Sequence, residues 1–165
     1  MVRDQLAARD ITDSRVLDVM GRVPRHLFVP PAVRDQAYRD YPLPIDEGQT
    51  ISQPSLVAEM TRLLSPEPDS RVLEIGTGTG YQTALRAEFS EKVFTVERIG
   101  VLAERAKERL AELGYNNIEF KVGDGSAGVA FAQLRLPQPG GAASRPTRGQ
   151  GDPFSADVGE VGAPE

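Results

Sequence analysis

Between residues 71 and 125 the hydrophobic pattern alternates between short apolar runs and helical spacing. Arg71-Val72-Leu73-Glu74-Ile75 reads as a strand that runs into Gly76-Thr77-Gly78-Thr79-Gly80, and Tyr81 to Phe89 then reads as a helix. Lys92-Val93-Phe94-Thr95-Val96 is β-branched and aromatic, hence a second strand, ending at Glu97. From Gly100 to Leu113 the residues Leu102, Ala106, Leu110 and Leu113 share one helical face, and Gly114 stops that helix. Ile118 to Val122 is a third strand, ending in Gly123-Asp124-Gly125. Strands alternating with helices of this length predict an α/β fold with a parallel sheet. Upstream, Ile11 to Met20 reads as a short helix with Ile11, Leu17 and Met20 as apolar positions. Pro24 to Pro54 reads as a proline-rich, extended cover facing substrate rather than core. A further helix carries Leu56, Val57, Met60, Leu63 and Leu64.

Three successive strand ends therefore offer a glycine turn, a glutamate and an aspartate to one crevice. A strand–glycine turn–helix unit cradles nucleotide cofactors because helix N–H groups face the turn. Glu97 lies seventeen residues after Gly80, near the roughly 20-residue spacing at which an acidic strand end meets ribose hydroxyls. The glycines at 76, 78 and 80 are evenly spaced, unlike the dinucleotide fingerprint, and no Lys-Ser/Thr pair follows as in a phosphate-gripping loop. Acidic Glu74 beside the turn suits a ligand carrying positive charge, such as the sulfonium and amino group of S-adenosylmethionine. A dinucleotide site or a purely structural turn are the alternatives.

The stretch Asp46-Glu47-Gly48-Gln49-Thr50-Ile51-Ser52-Gln53-Pro54, then Glu74 to Tyr81, Thr95-Val96-Glu97-Arg98 and Gly123-Asp124-Gly125, resembles the protein-L-isoaspartate O-methyltransferase family. Val23-Pro24-Arg25-His26-Leu27-Phe28-Val29-Pro30 matches the same family's N-terminal pattern. Order and spacing agree over about residues 10 to 125. The resemblance implies a Rossmann-like class I methyltransferase sheet with helices on both faces. It also implies methyl transfer from S-adenosyl-L-methionine to the α-carboxylate of L-isoaspartyl residues in damaged proteins, a repair reaction. By position it makes Gly76, Thr77, Gly78, Gly80 and Tyr81 the cofactor turn, Glu97 the ribose acceptor, and Asp124 and Gly125 the adenine contact. It also implies that Thr50, Ile51 and Ser52 form the segment that closes over cofactor and substrate, with Ser52 as the active-site serine. Ser52 is read as a hydrogen-bond donor, though two residues before Pro54 it also suits a helix cap. Arg25 is read either as a contact to the substrate carboxylate or as an exposed arginine without that task, and the lone histidine, His26, as a loop residue.

Composition adds bounds. Zero cysteines exclude disulfides and fit a reducing cytoplasm. No metal-ligand cluster is evident, and carboxylate methylation needs none. With a net charge of −5 and scattered Arg and Lys, nothing points to nucleic acid, and Met1 to Asp10 lacks the apolar run of a signal peptide or membrane span. Residues 1–125 are read as an N-terminal helical and substrate segment followed by the first half of the cofactor domain. Residues 126–165 hold seven Gly and five Pro and read as a disordered tail. The family pattern continues with a buried Asp-x-Ile-Ile-Val-type strand, which is missing here. The expectation is a reading-frame shift near 126–129, or else a natural shortened variant; either way it is a sheet truncated after its third strand, an exposed edge at Val72 to Ile75, low stability and weak activity.

Overall fold

The computed structural model describes residues 1–9 and 11–128, within a unit bounded by Met1 and Leu134. The expectation for the Gly/Pro-rich tail lies outside the described residues from 129 onward. Strands β3 (Arg71–Ile75), β4 (Lys92–Glu97) and β5 (Ile118–Val122) form a parallel sheet in the order β3-β4-β5, preceded by a hairpin of two two-residue strands, β1 (Leu43–Pro44) and β2 (Thr50–Ile51). Helices are α1 (Ser14–Arg22), α2 (Pro54–Leu64), α3 (Tyr81–Phe89) and α4 (Gly100–Glu112). The α/β architecture and all three sheet strands agree with the sequence pattern.

Register aligns the strand ends that carry the motif. Glu74 pairs with Thr95, and Ile75 with Val96. Val96 pairs with Lys121, and Glu97 with Val122. Strand β3 alternates strictly: Val72 and Glu74 are buried, whereas Arg71, Leu73 and Ile75 are exposed. Among the described residues β3 is an edge of the sheet, and Ile75 is 56% exposed. Helix α4 buries Leu102, Ala103, Ala106 and Leu110, with Leu113 partly buried, and Gly114 at φ +87° ends it in a left-handed turn. No helix among the described residues is long and apolar enough to cross a membrane.

Three upstream expectations change. Helix α1 begins at Ser14 rather than Ile11, because the Asp13 carboxylate accepts bonds from Arg15 N (2.9 Å) and Val16 N (3.3 Å). Ile11 is buried ahead of the helix. The segment from Pro24 to Pro54 is not an extended cover: it forms tight 3-10 turns at Arg25–Phe28 and Pro31–Gln36, and Phe28, Val29, Ala37, Leu43 and Ile51 join the core. Helix α2 buries Pro54, Ser55, Val57, Ala58 and Thr61, leaving Leu56, Leu63 and Leu64 exposed. Small residues allow close approach on that face, and the buried Thr61 hydroxyl is satisfied by donating to Val57 O at 2.8 Å.

Replacing Asp13 with Ala removes an N-cap acceptor and should cost about 1 kcal/mol of stability. Urea denaturation of D13A against the parent chain measures it; equal midpoints would show that the cap contributes nothing.

Candidate active site

The glycine turn follows from one backbone requirement and one packing requirement. Gly76, Gly78 and Gly80 have φ of +90°, +54° and +86°. At Gly80 a Cβ would also lie 2.8 Å from Leu110 Cδ1, so α4 packs directly against the start of α3. The turn is fixed to the sheet: Gly76 N donates to Val96 O at 2.8 Å, and the Thr77 and Thr95 hydroxyls are 2.7 Å apart. Glu97 reaches up from β4. Its Oε2 accepts from Gly78 N (2.9 Å) and its Oε1 from Ile99 N (3.0 Å). Each oxygen keeps lone-pair capacity for further donors.

Glu74 does not face a ligand. Its carboxylate is buried, accepting from the Thr83 hydroxyl at 2.5 Å and the Thr95 hydroxyl at 2.7 Å, and it pairs with the Arg86 guanidinium. Burial raises the Glu74 carboxyl above its ordinary range, and the attraction of Arg86 opposes that rise. The expectation of a charge-complementary ligand contact is therefore corrected: Arg86, on the next helix, supplies the positive partner.

Thr50, Ile51 and Ser52 lie across a recess of about 80 Å³ from Gly76, Thr77, Gly78 and Tyr81; Val57, Thr79 and Gln82 complete its wall. That volume is well below the roughly 300–1,000 Å³ of a closed small-molecule pocket, so a nucleoside would also spread over the open strand ends. Ser52 does not cap α2. Gln53 is the N-cap, without a side-chain bond, and Asp40 Oδ1 accepts from Ser55 N at 2.8 Å in its place. Among the described residues the Ser52 hydroxyl makes no hydrogen bond, whereas its carbonyl accepts from Arg25 Nη2 at 2.7 Å.

Tyr81 is deeply buried. Its ring lies edge-on to Phe28 at 5.4 Å and beneath the Arg25 guanidinium at 4.7 Å, and burial pushes its hydroxyl up to about 12. Asp124 is exposed at the end of β5, where its carboxylate accepts from Ser126 N at 2.9 Å, a bond that lowers its pKa. Gly125 packs on Ile75 so closely that a Cβ would lie 2.6 Å from its Cγ2. Neither lines the recess. A larger cavity of about 490 Å³ lies between α4 and residues 27–34 and meets the turn only at Gly78 and Thr79. His26 is hydrogen-bonded to Tyr38 through Nδ1 at 2.6 Å, a loop contact as expected. Arg25 is fully buried rather than exposed. Sequence reasoning missed Asp40 and Gln82, which carry no local signal.

A parallel sheet with a glycine turn after its first strand and an acid closing its second is Rossmann-like, and the solved structures it superposes on make it a class I methyltransferase fold. A solved protein-L-isoaspartate O-methyltransferase superposes with a TM-score of 0.66 at 32% identity, over 75% of this chain and 41% of the other. A putative enzyme of the same name from Plasmodium falciparum, in complex with S-adenosyl-L-homocysteine, gives 0.61 at 26% identity over 73% and 60%. The chain belongs to the protein-L-isoaspartate(D-aspartate) O-methyltransferase family, whose model matches residues 1–133. Protein-L-isoaspartate O-methyltransferase of Synechococcus sp. (strain JA-2-3B'a(2-13)) is 57% identical over 128 residues, which is 78% of this chain and 52% of the relative. That of Syntrophus aciditrophicus (strain SB) is 53% identical over 128 residues, covering 78% and 59%. The chain thus spans little more than half the length of these relatives.

Replacing Arg86 with Met would strand the Glu74 charge, at a cost of about 3–5 kcal/mol near pH 8. The sign of the pH dependence follows from the raised carboxyl. The folded state holds its proton to higher pH than the unfolded chain does, so stability is fullest below the unfolded pKa and is lost as pH rises through the folded one. Without Arg86, whose attraction opposes that rise, the carboxyl of R86M is raised further, so denaturant melts from pH 8 to pH 5 should narrow the gap to the parent chain. A constant gap would show that Glu74 is not charged there.

Proposed function

We propose that this chain binds S-adenosylmethionine and serves methyl transfer to the free α-carboxylate of L-isoaspartyl residues in damaged proteins, a repair reaction of the cytoplasm. One observation carries the reading: Thr50–Ser52, distant in sequence, forms one wall of a recess whose other wall is the glycine turn. The residues fit this cofactor. Thr50, Ile51 and the glycine turn would hold its amino-acid end, Glu97 beside the turn keeps acceptor capacity for ribose hydroxyls, and Asp124 and Gly125 at the next strand end would meet adenine. When bound, the cofactor supplies a methyl group already activated on a sulfonium.

The chain's own residues then have a modest chemical task. An isoaspartyl carboxylate is a nucleophile at neutral pH, so placing it in line with the methyl group supplies most of the acceleration. Ser52 donates a hydrogen bond from its uncommitted hydroxyl and orients that carboxylate. Thr50 and Ile51 close over the reacting groups, Gly76, Thr77, Gly78 and Tyr81 shape the floor, and Gly80 turns the chain behind it. No proton needs to be removed from the substrate. Among the described residues no His/Cys/Asp/Glu group is arranged to hold a metal ion, and none of these steps calls for one.

The test is methyl transfer from labelled S-adenosylmethionine to an isoaspartyl peptide, with its normal aspartyl isomer as control. The expected result is transfer to the first peptide alone. Ser52→Ala should lower kcat/KM by roughly ten- to a hundredfold, the worth of one hydrogen bond to a charged group. Equal transfer to both peptides, or an unaffected S52A, would remove this reading.

A further inference from the structure

Arg25 occupies a position that stability alone does not explain. It follows Pro24 at the start of a 3-10 turn and is fully buried. Taking a guanidinium out of water is costly, and an apolar side chain of similar size in such a site is often neutral or better. No carboxylate forms an ion pair with it among the described residues. Its cation is instead solvated by two carbonyls and an aromatic face. Nε donates to Ala37 O at 2.7 Å, Nη2 donates to Ser52 O at 2.7 Å, and the Tyr81 ring centroid lies 4.7 Å from Cζ. Burial lowers the Arg25 pKa, with Tyr81 and Asp40 opposing the change.

The three partners come from three parts of the chain. Ala37 closes the turn Pro31–Gln36, Ser52 belongs to one wall of the recess, and Tyr81 opens α3 directly after the glycine turn. Ile51 anchors the Ser52 segment in the apolar core, but few backbone bonds hold it. The β1–β2 ladder pairs only Leu43 with Ile51 and Pro44 with Thr50, and a ladder so short has little stability of its own. A second tether lies three residues on, where Asp40 Oδ1 accepts from Ser55 N.

We propose that Arg25 is a positioning residue of the methyl-transfer site: its planar guanidinium pins the Ser52 carbonyl and so sets the distance between Ser52 and the glycine turn. This rests on the function proposed above. Arg25 touches neither substrate nor cofactor and acts through Ser52. A lysine could not replace it fully, because a point charge lacks the fork that holds two carbonyls at once. Displacements of about 1 Å in a site that works by alignment can cost a hundredfold in rate.

The test compares Arg25→Met, an apolar near-isostere that keeps the core filled, with Arg25→Lys. Three quantities are measured for each and for the parent chain: amide hydrogen exchange of residues 49–56 and 92–97, the Kd for S-adenosylhomocysteine, and kcat and KM with an isoaspartyl peptide. For R25M, exchange in 49–56 should rise about tenfold or more while 92–97 stays within about twofold. The Kd should rise by less than kcat falls, because Thr50 and Ile51 share the loosened segment whereas Gly76, Gly78 and Glu97 lie on other elements. The fall of about ten- to a hundredfold should lie in kcat, with R25K recovering part of it. Unchanged exchange at 49–56 with parental kcat would overturn the proposal, as would loss of protection spread equally over both segments, the mark of a merely structural residue. If the parent chain methylates nothing, the function reading fails, and exchange at 49–56 alone decides whether Arg25 tethers the segment.

Discussion

Glu74 brings a carboxylate into a layer where an unpaired charge would cost several kcal/mol, and its compensation organises the region around the glycine turn. Its three partners come from two elements: Thr95 from the neighbouring strand, and Thr83 and Arg86 from the helix that follows the turn. Satisfying the charge therefore fixes the distance and rotation of α3 relative to β3 and β4. The backbone between them has only five residues in which to reverse, which demands left-handed conformations at 76, 78 and 80. The recess beside the turn follows from that constraint.

A second layer of polar contacts ties the N-terminal region to this frame. Arg25 and Asp40 hold the start of α2 and the segment before it, while Arg109 Nη1 donates to Thr79 O at 2.9 Å from the opposite side of the turn. Apolar packing joins the two regions, with Phe28, Ile51, Tyr81, Leu85 and Leu110 in one core cluster. The proposed site thus lies where two segments meet, one carrying the serine and the other the glycine turn.

Much of this was legible in the sequence. Strands β3, β4 and β5 and helices α3 and α4 follow from local periodicity, because β-branched runs and a four-residue apolar repeat encode them without reference to distant residues. The glycine turn and Glu97 were legible for the same reason. The cap of α2 was not: Ser52 has the right chemistry and spacing, but Asp40, fifteen residues before Ser55, takes the role. Glu74 was read as a ligand contact because its position in the motif gives no hint that Arg86 folds back on it. The environment of Arg25 was equally hidden, since burial of a guanidinium depends on carbonyls supplied by residues 37 and 52. Helix α2 misled in another way, because its leucines mark the exposed face and small residues the packed one.

Binding of S-adenosylhomocysteine tests most directly the claim that the recess and strand ends form a cofactor site. A thermal melt of the 165-residue chain with and without the ligand measures it. A ligand that binds only the folded state adds about 2.7 kcal/mol at a hundred times its Kd. A cooperative transition should move upward by several degrees and keep moving with concentration. A cooperative transition that stays in place at millimolar ligand would contradict that claim.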